Sequence, residues 1–237
     1  MSDNNIDLNS NFLDKRVASY TAIANMVPYL GPCLSAIISE IIPNQRVDRI
    51  VRYVELLNQK IEKIDQELIK NISHDENGID LVEEGFVQAS RAISNERREY
   101  IANLVVNGIS DEKKKYSDIK YMLKLLSELN DPEIIWLRSY LHSPINGDED
   151  FREKHKNILT VEPSNIGTDE ATNEKNSIQN SYSEHLERLG LISSHKTIDI
   201  RTKQPKYDRY GNQEVSYRYT TILGKYLLKL LNLLPNE

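Results

Sequence analysis

The chain has 237 residues and a formal net charge of −6, with 39% hydrophobic and 28% charged residues, enough length and apolar content for a folded core. A single cysteine, Cys33, excludes an intrachain disulfide framework and a cysteine-cluster zinc site, and only 9 Gly and 8 Pro argue against an all-β chain of many tight turns. Charge is uneven: residues 1–131 and 132–195 each carry a balance of −5, whereas residues 196–237 carry 8 Lys and Arg against 4 Asp and Glu, a balance of +4.

The polar, acidic start MSDNNIDLNS lacks the pattern of a secretory signal, so the expected compartment is the cytoplasm. Val17 to Ser39 carries no charge, a length that could span a bilayer. Pro28, Gly31 and Pro32 break it, however, and Ser19, Thr21, Asn25, Ser35 and Ser39 dilute it. The spacing predicts two short amphipathic helices joined as a hairpin. Tyr20, Ile23, Ala24 and Val27 form one face, and Leu34, Ile37, Ile38, Ile41 and Ile42 form the other. The second face is a candidate contact for a partner, or for a membrane on some trigger, which would make the protein peripheral to the inner membrane.

Pro43 closes that segment. Val47, Ile50, Val54, Leu57, Ile61, Ile64 and Leu68 then recur at spacings of three and four, the seam of a heptad repeat. This predicts one long helix over about residues 45–72, about 42 Å at 1.5 Å per residue. Its seam is expected to fill within one chain, against the hairpin and the helices of 80–130, although a second copy is the other candidate. The polar run His74 to Gly78 is a break, and its spacing does not fit a calcium loop.

Leu81, Val82, Phe86, Ala89, Ala92 and Ile93 predict a further helix. Ser94 or Asn95 caps another that stops at Asn107-Gly108. Residues 111–129 predict a helix with Tyr116, Ile119, Met122, Leu123, Leu126 and Leu129 inward. Asp131-Pro132 opens a shorter one, with Asp131 as cap. Pro144, Gly147, Pro163 and Gly167 mark loops around one short helix near 150–159, and Thr160 to Lys175 reads as an exposed loop. Ile178, Tyr182, Leu186 and Leu189 then line a helix ending at Gly190. Ile198 and Ile200, and after Tyr210-Gly211-Asn212 also Val215, Tyr217 and Tyr219, alternate as two strands. Thr220 or Thr221 caps a last helix with Leu223, Leu227, Leu230 and Leu231.

The expected fold is therefore mainly α: a helical bundle over 1–130, then a winged-helix-like α+β unit over 131–237 with a loop insertion near 160–175. The strings Leu186-Glu187-Arg188-Leu189-Gly190-Leu191-Ile192 and Tyr219-Thr220-Thr221-Ile222-Leu223-Gly224-Lys225-Tyr226-Leu227-Leu228 resemble the end of many winged-helix proteins. With Glu96 to Leu104, Lys120 to Leu129 and Asp131-Pro132-Glu133-Ile134, the order from about residue 80 to 235 resembles the Abi-alpha family of bacterial proteins linked to abortive phage infection. That resemblance implies an antiphage defence protein acting through interaction or a triggered conformational change. It supplies no catalytic residues.

The residues themselves point the same way on chemistry. His74, His142, His155, His185 and His195 are scattered, and no zinc-protease, phosphate-loop or serine-hydrolase motif occurs. Arg138 to His142 and Arg152 to His155 read as solvated surface pairs, and Cys33 as a small packed residue. The expectation is a non-enzyme without metal or cofactor, with a protein or a second copy as partner. A winged-helix regulator is the alternative. Its recognition helix would carry Glu184 and Glu187 against Arg188, poor chemistry for duplex DNA. Arg201, Lys203, Lys206 and Arg209 on the wing are the candidate contacts for nucleic acid or another anion, held weakly and without sequence preference.

Overall fold

The computed structural model describes residues 47–72, 74–110, 115–142, 148–162, 168–207, 211 and 213–235. The 17–42 hairpin, including Leu34, Ile37, Ile38 and Ile41, lies outside them, as does Arg209. The described chain is mainly helical, with a small two-stranded antiparallel sheet near its C-terminal end. It divides into two compact units, one running to Ser127 and the other from Glu128.

In the first unit, α1 (Val47–Ile61), α2 (Gln66–Ile72), α3 (Glu76–Arg91), α4 (Asn95–Ile109) and α5 (Tyr116–Glu128) follow in order. α1 packs on α4 and α3 through Ile50, Val54, Leu57 and Ile61, all fully buried or nearly so, with Tyr53 beside them. From Ile50 to Ile61 the heptad seam is thus filled from within the chain, by the helices that follow it. The single long helix is not found. The chain tightens after Ile61, where the Ile64 N–H donates to the Ile61 carbonyl at 2.8 Å, and Asp65 accepts from the Glu67 N–H at 2.9 Å to start α2. That break moves the buried stripe by one position. Ile69 and Ile72 face the core, while Ile64 and Leu68 are only partly buried.

Asp75 and Ser94 cap α3 and α4 by accepting from Asn77 and Arg97 N–H groups. Ala92 lies just past the end of α3, and Ile93 is 85% exposed rather than inward. The C-terminal carbonyls of α3 are instead met by guanidinium groups. Arg98 donates to the Ala92 carbonyl at 2.8 Å, and Arg49 approaches those of Ser90 and Arg91. Burial, then Arg49 and Arg52, lower the Arg98 pKa. α5 is tied on by Gln88, which donates to the Leu123 carbonyl at 3.1 Å, by Arg97 to Leu126 at 2.8 Å, and by the Lys120–Asp80 ion pair.

The second unit contains α6 (Asp131–Ser139), α7 (Glu149–Lys154), α8 (Lys156–Leu159), α9 (Glu170–Arg188), β1 (Ile192–Lys196), β2 (Val215–Thr220) and α10 (Ile222–Leu230). Asn130, not Asp131, caps α6, in a reciprocal box with Glu133. α9 starts at Glu170 behind the cap Asp169, so residues 170–175 are helix rather than loop. Its buried face matches the expected one only in part: Leu186 is fully buried as expected, but Ile178 is 53% exposed, and Asn176, Gln179 and Ser183 point inward. Gln179 donates to the carbonyls of Ile158 and Thr160, and Asn176 to that of Glu162. The helix therefore holds the preceding segment by its backbone, with amides where a hydrophobic face was expected.

Gly190, at φ 71°, ends α9 and turns the chain into β1. The first strand runs from Ile192, earlier than the Ile198–Ile200 alternation suggested. Ile198 makes only an isolated bridge to Pro205, and Ile200 is 84% exposed in a turn. Thr221 caps α10 by accepting from the Gly224 N–H, and its hydroxyl donates to the Gly190 carbonyl at 2.7 Å. A β-carbon on Gly224 would lie 2.2 Å from the Leu191 carbonyl oxygen, so only glycine lets α10 approach the start of β1 this closely.

Candidate functional site: the outer face of the hairpin

β1 and β2 pair with Ser193 opposite Tyr219 and His195 opposite Tyr217, and the register slips after His195. Side chains alternate across a strand, so the two faces can be read directly. Ile192 and Thr220 are buried on the inner face. There Ser194 donates to Glu187 of α9 at 2.8 Å, and Thr220 donates to the Leu137 carbonyl at 3.0 Å. Ser193, His195, Tyr217 and Tyr219 occupy the outer face.

That outer face is aromatic. The His195 and Tyr217 rings stack with centroids 4.9 Å apart and an interplanar angle of 13°, and the Tyr219 ring lies 6.1 Å from that of Tyr217. Tyr217 is 56% and Tyr219 45% exposed, whereas Tyr53, Phe86, Trp136 and Phe151 are buried. The alternation of Tyr217 and Tyr219 predicts a strand but does not say which side faces water. His195 gave no signal, because its role depends on the strand register.

Beyond the strands the connecting segment folds into a turn. The Asp199 carboxylate accepts from the Arg201 and Thr202 N–H groups at 2.8 Å each, and Lys203 takes φ 59°. Those bonds, Thr202 first, hold the Asp199 carboxyl below the usual carboxylate range. Arg201 and Lys203 are exposed on this turn, and Lys196 is exposed at the end of β1. Lys206 is exposed too, but it pairs with Glu214 at 3.2 Å. The structure thus brings Arg201 and Lys203 together, gives Lys206 an acidic neighbour, and leaves Arg209 outside the described residues.

The remaining polar clusters of this unit hold the fold. Glu133 accepts from the Asn130 N–H at 2.7 Å and meets His185 Nδ1 at 2.6 Å. Tyr140 and Ser183 hydroxyls lie 2.9 Å apart, and burial raises the Tyr140 phenol. Arg138 pairs with Asp148 at 3.0 Å and lies over the Phe151 ring at 4.0 Å, while Arg152 donates to the carbonyls of Ser139 and His142. The Arg–His spacings therefore resolve into arginines that clamp α6 to α7, not into solvated pairs.

Among the described residues, no group of three or more His, Cys, Asp or Glu could hold a metal ion, and no helix is long and apolar enough to cross a membrane. No family model, no curated protein and no solved structure matches this chain.

Proposed function

We propose that this is a non-enzymatic binding protein of bacterial antiphage defence, acting in the cytoplasm through its C-terminal unit. The observation that carries the binding part is the grouping of exposed rings on one sheet face, where His195 and Tyr217 stack and Tyr219 lies tilted 6.1 Å beyond Tyr217. Exposed aromatic rings grouped on one sheet face favour contact with a partner over solvent. The order α9, β1, a long connection, β2 and α10 supports a winged-helix-like reading, and the Abi-alpha resemblance supports the defence context.

On this reading the helical unit is a scaffold and the hairpin is the contact surface. The test is phage challenge of a bacterial host carrying the intact gene or an empty vector. Fewer plaques or early death of infected cells with the gene supports the proposal. Equal plaque numbers and equal culture survival contradict it.

A further inference from the structure

We infer that the outer face of the β1–β2 hairpin is a stacking platform for single-stranded nucleic acid. The inference rests on the reading of that hairpin as the contact surface, and it names the chemistry of the partner.

Every nucleobase offers a flat π face, and aromatic side chains on a sheet bind successive bases of a single strand by stacking on them. His195 and Tyr217 already lie nearly parallel, and Tyr219 follows two residues along the same strand. The stacked pair covers one face of each of its rings, so a base would stack on the outer face of that pair and the next on the Tyr219 ring, tilted 45° to Tyr217. Ser193 beside them supplies a hydroxyl at the edge of the row.

Charge favours the same ligand. Residues 1–195 are acidic in both stretches, whereas 196–237 carry a balance of +4. Lys196 follows the aromatic row directly, and Arg201 and Lys203 are exposed on the turn that extends it. A backbone running from the rings toward the turn would find its counter-charges there.

The placement of Glu187 separates single strands from duplexes. Its carboxylate accepts from Ser194 on the inner face, so acidic α9 backs the sheet on the side away from the rings. A duplex docked on α9, as a recognition helix requires, would meet Glu184 and Glu187. A single strand laid on the outer face avoids them.

The test is fluorescence anisotropy with the full chain and labelled oligothymidylate, oligouridylate and a mixed-sequence duplex, each about 12 nucleotides long. Both single strands should bind, and the duplex should bind more weakly than either. Tyr217→Ala should weaken single-strand binding about 5- to 150-fold, whereas Tyr217→Phe should retain it. Because Tyr217 is exposed, both variants should melt as the wild type does. Raising salt from about 50 to about 200 mM should weaken binding about twentyfold for three phosphate contacts. Absence of single-strand binding at the lower salt, equal or tighter duplex binding, or unchanged affinity in Tyr217→Ala would overturn the inference. A chain that protects against phage through Tyr217 yet binds no oligonucleotide would have a protein partner. That outcome overturns the inference and leaves the defence reading standing.

Discussion

Gly85 of α3 faces Tyr53 of α1 so closely that a β-carbon on the glycine would lie 2.7 Å from the Tyr53 hydroxyl oxygen and 2.6 Å from Val105 Cγ2. The missing side chain is what lets α1, α3 and α4 close on one another. The same hydroxyl is buried with no hydrogen-bond partner among the described residues, and burial raises its pKa far above the ordinary phenol value. It is a buried polar group that costs stability.

Two variants follow from that contact. Tyr53→Phe should raise the stability of the helical unit by about 1 kcal/mol, since it removes an unsatisfied donor and keeps the ring against Phe86. Gly85→Ala should cost about 1–3 kcal/mol through overpacking. Combined with Tyr53→Phe it should cost less than the sum of the two single changes predicts, because one clash is gone. Urea titration of the four chains reads the coupling directly.

In the second unit, Glu133 does two things at once. It closes the α6 capping box with Asn130, and it is the partner of His185 on α9. Glu133→Ala should destabilise this unit by about 1–3 kcal/mol, because the Asn130 N–H and the imidazole lose a buried acceptor. Glu133→Gln keeps an oxygen for the cap and should cost less. Equal losses in chemical denaturation would show that the cap contributes nothing.

His155 gives a pH dependence with a definite sign. Burial first, then Lys154 and Arg138, lower its pKa, so the unfolded chain holds the proton more tightly than the folded one. Its contribution to stability is present in full above about pH 6.5 and declines as pH falls through that ordinary histidine range toward the lower folded value. His155→Gln should flatten this part of the stability profile. Thermal melts of both proteins between about pH 5 and pH 8 test it.

The wing cations have a separate signature. Arg201→Glu with Lys203→Glu should sharply weaken nucleic-acid binding and make what remains less dependent on salt. Both residues are exposed on the Asp199 turn, so the fold should survive. Unchanged binding in anisotropy would remove the turn from the contact surface.

Much of the helical architecture was legible because it rests on local rules. The seam through Ile50, Val54, Leu57 and Ile61 followed from spacing, and residue type narrowed two caps to Ser94 or Asn95 and Thr220 or Thr221, of which Ser94 and Thr221 are the ones used. The break at 62–65 was hidden because Ile64 and Leu68 continue the heptad. The one available signal was Asp65 before Gln66-Glu67, a cap with an acidic residue in the first turn. Hydrophobic periodicity found Leu186 on the inward face of α9 but not Asn176 and Gln179, which are buried by bonding loop carbonyls. The candidate site was half legible. Arg201 and Lys203 stood out as basic wing residues, but the outward direction of Tyr217 and its stacking on His195 depend on strand register, which no local rule supplies.

The central claim is that the exposed sheet face carries the function, and plaque counting on hosts that express face variants tests it most directly. Tyr217→Ala with Tyr219→Ala should lose protection against phage while the protein accumulates to wild-type levels and melts at the wild-type temperature. Full protection by that double variant would contradict the account and place the function elsewhere in the chain.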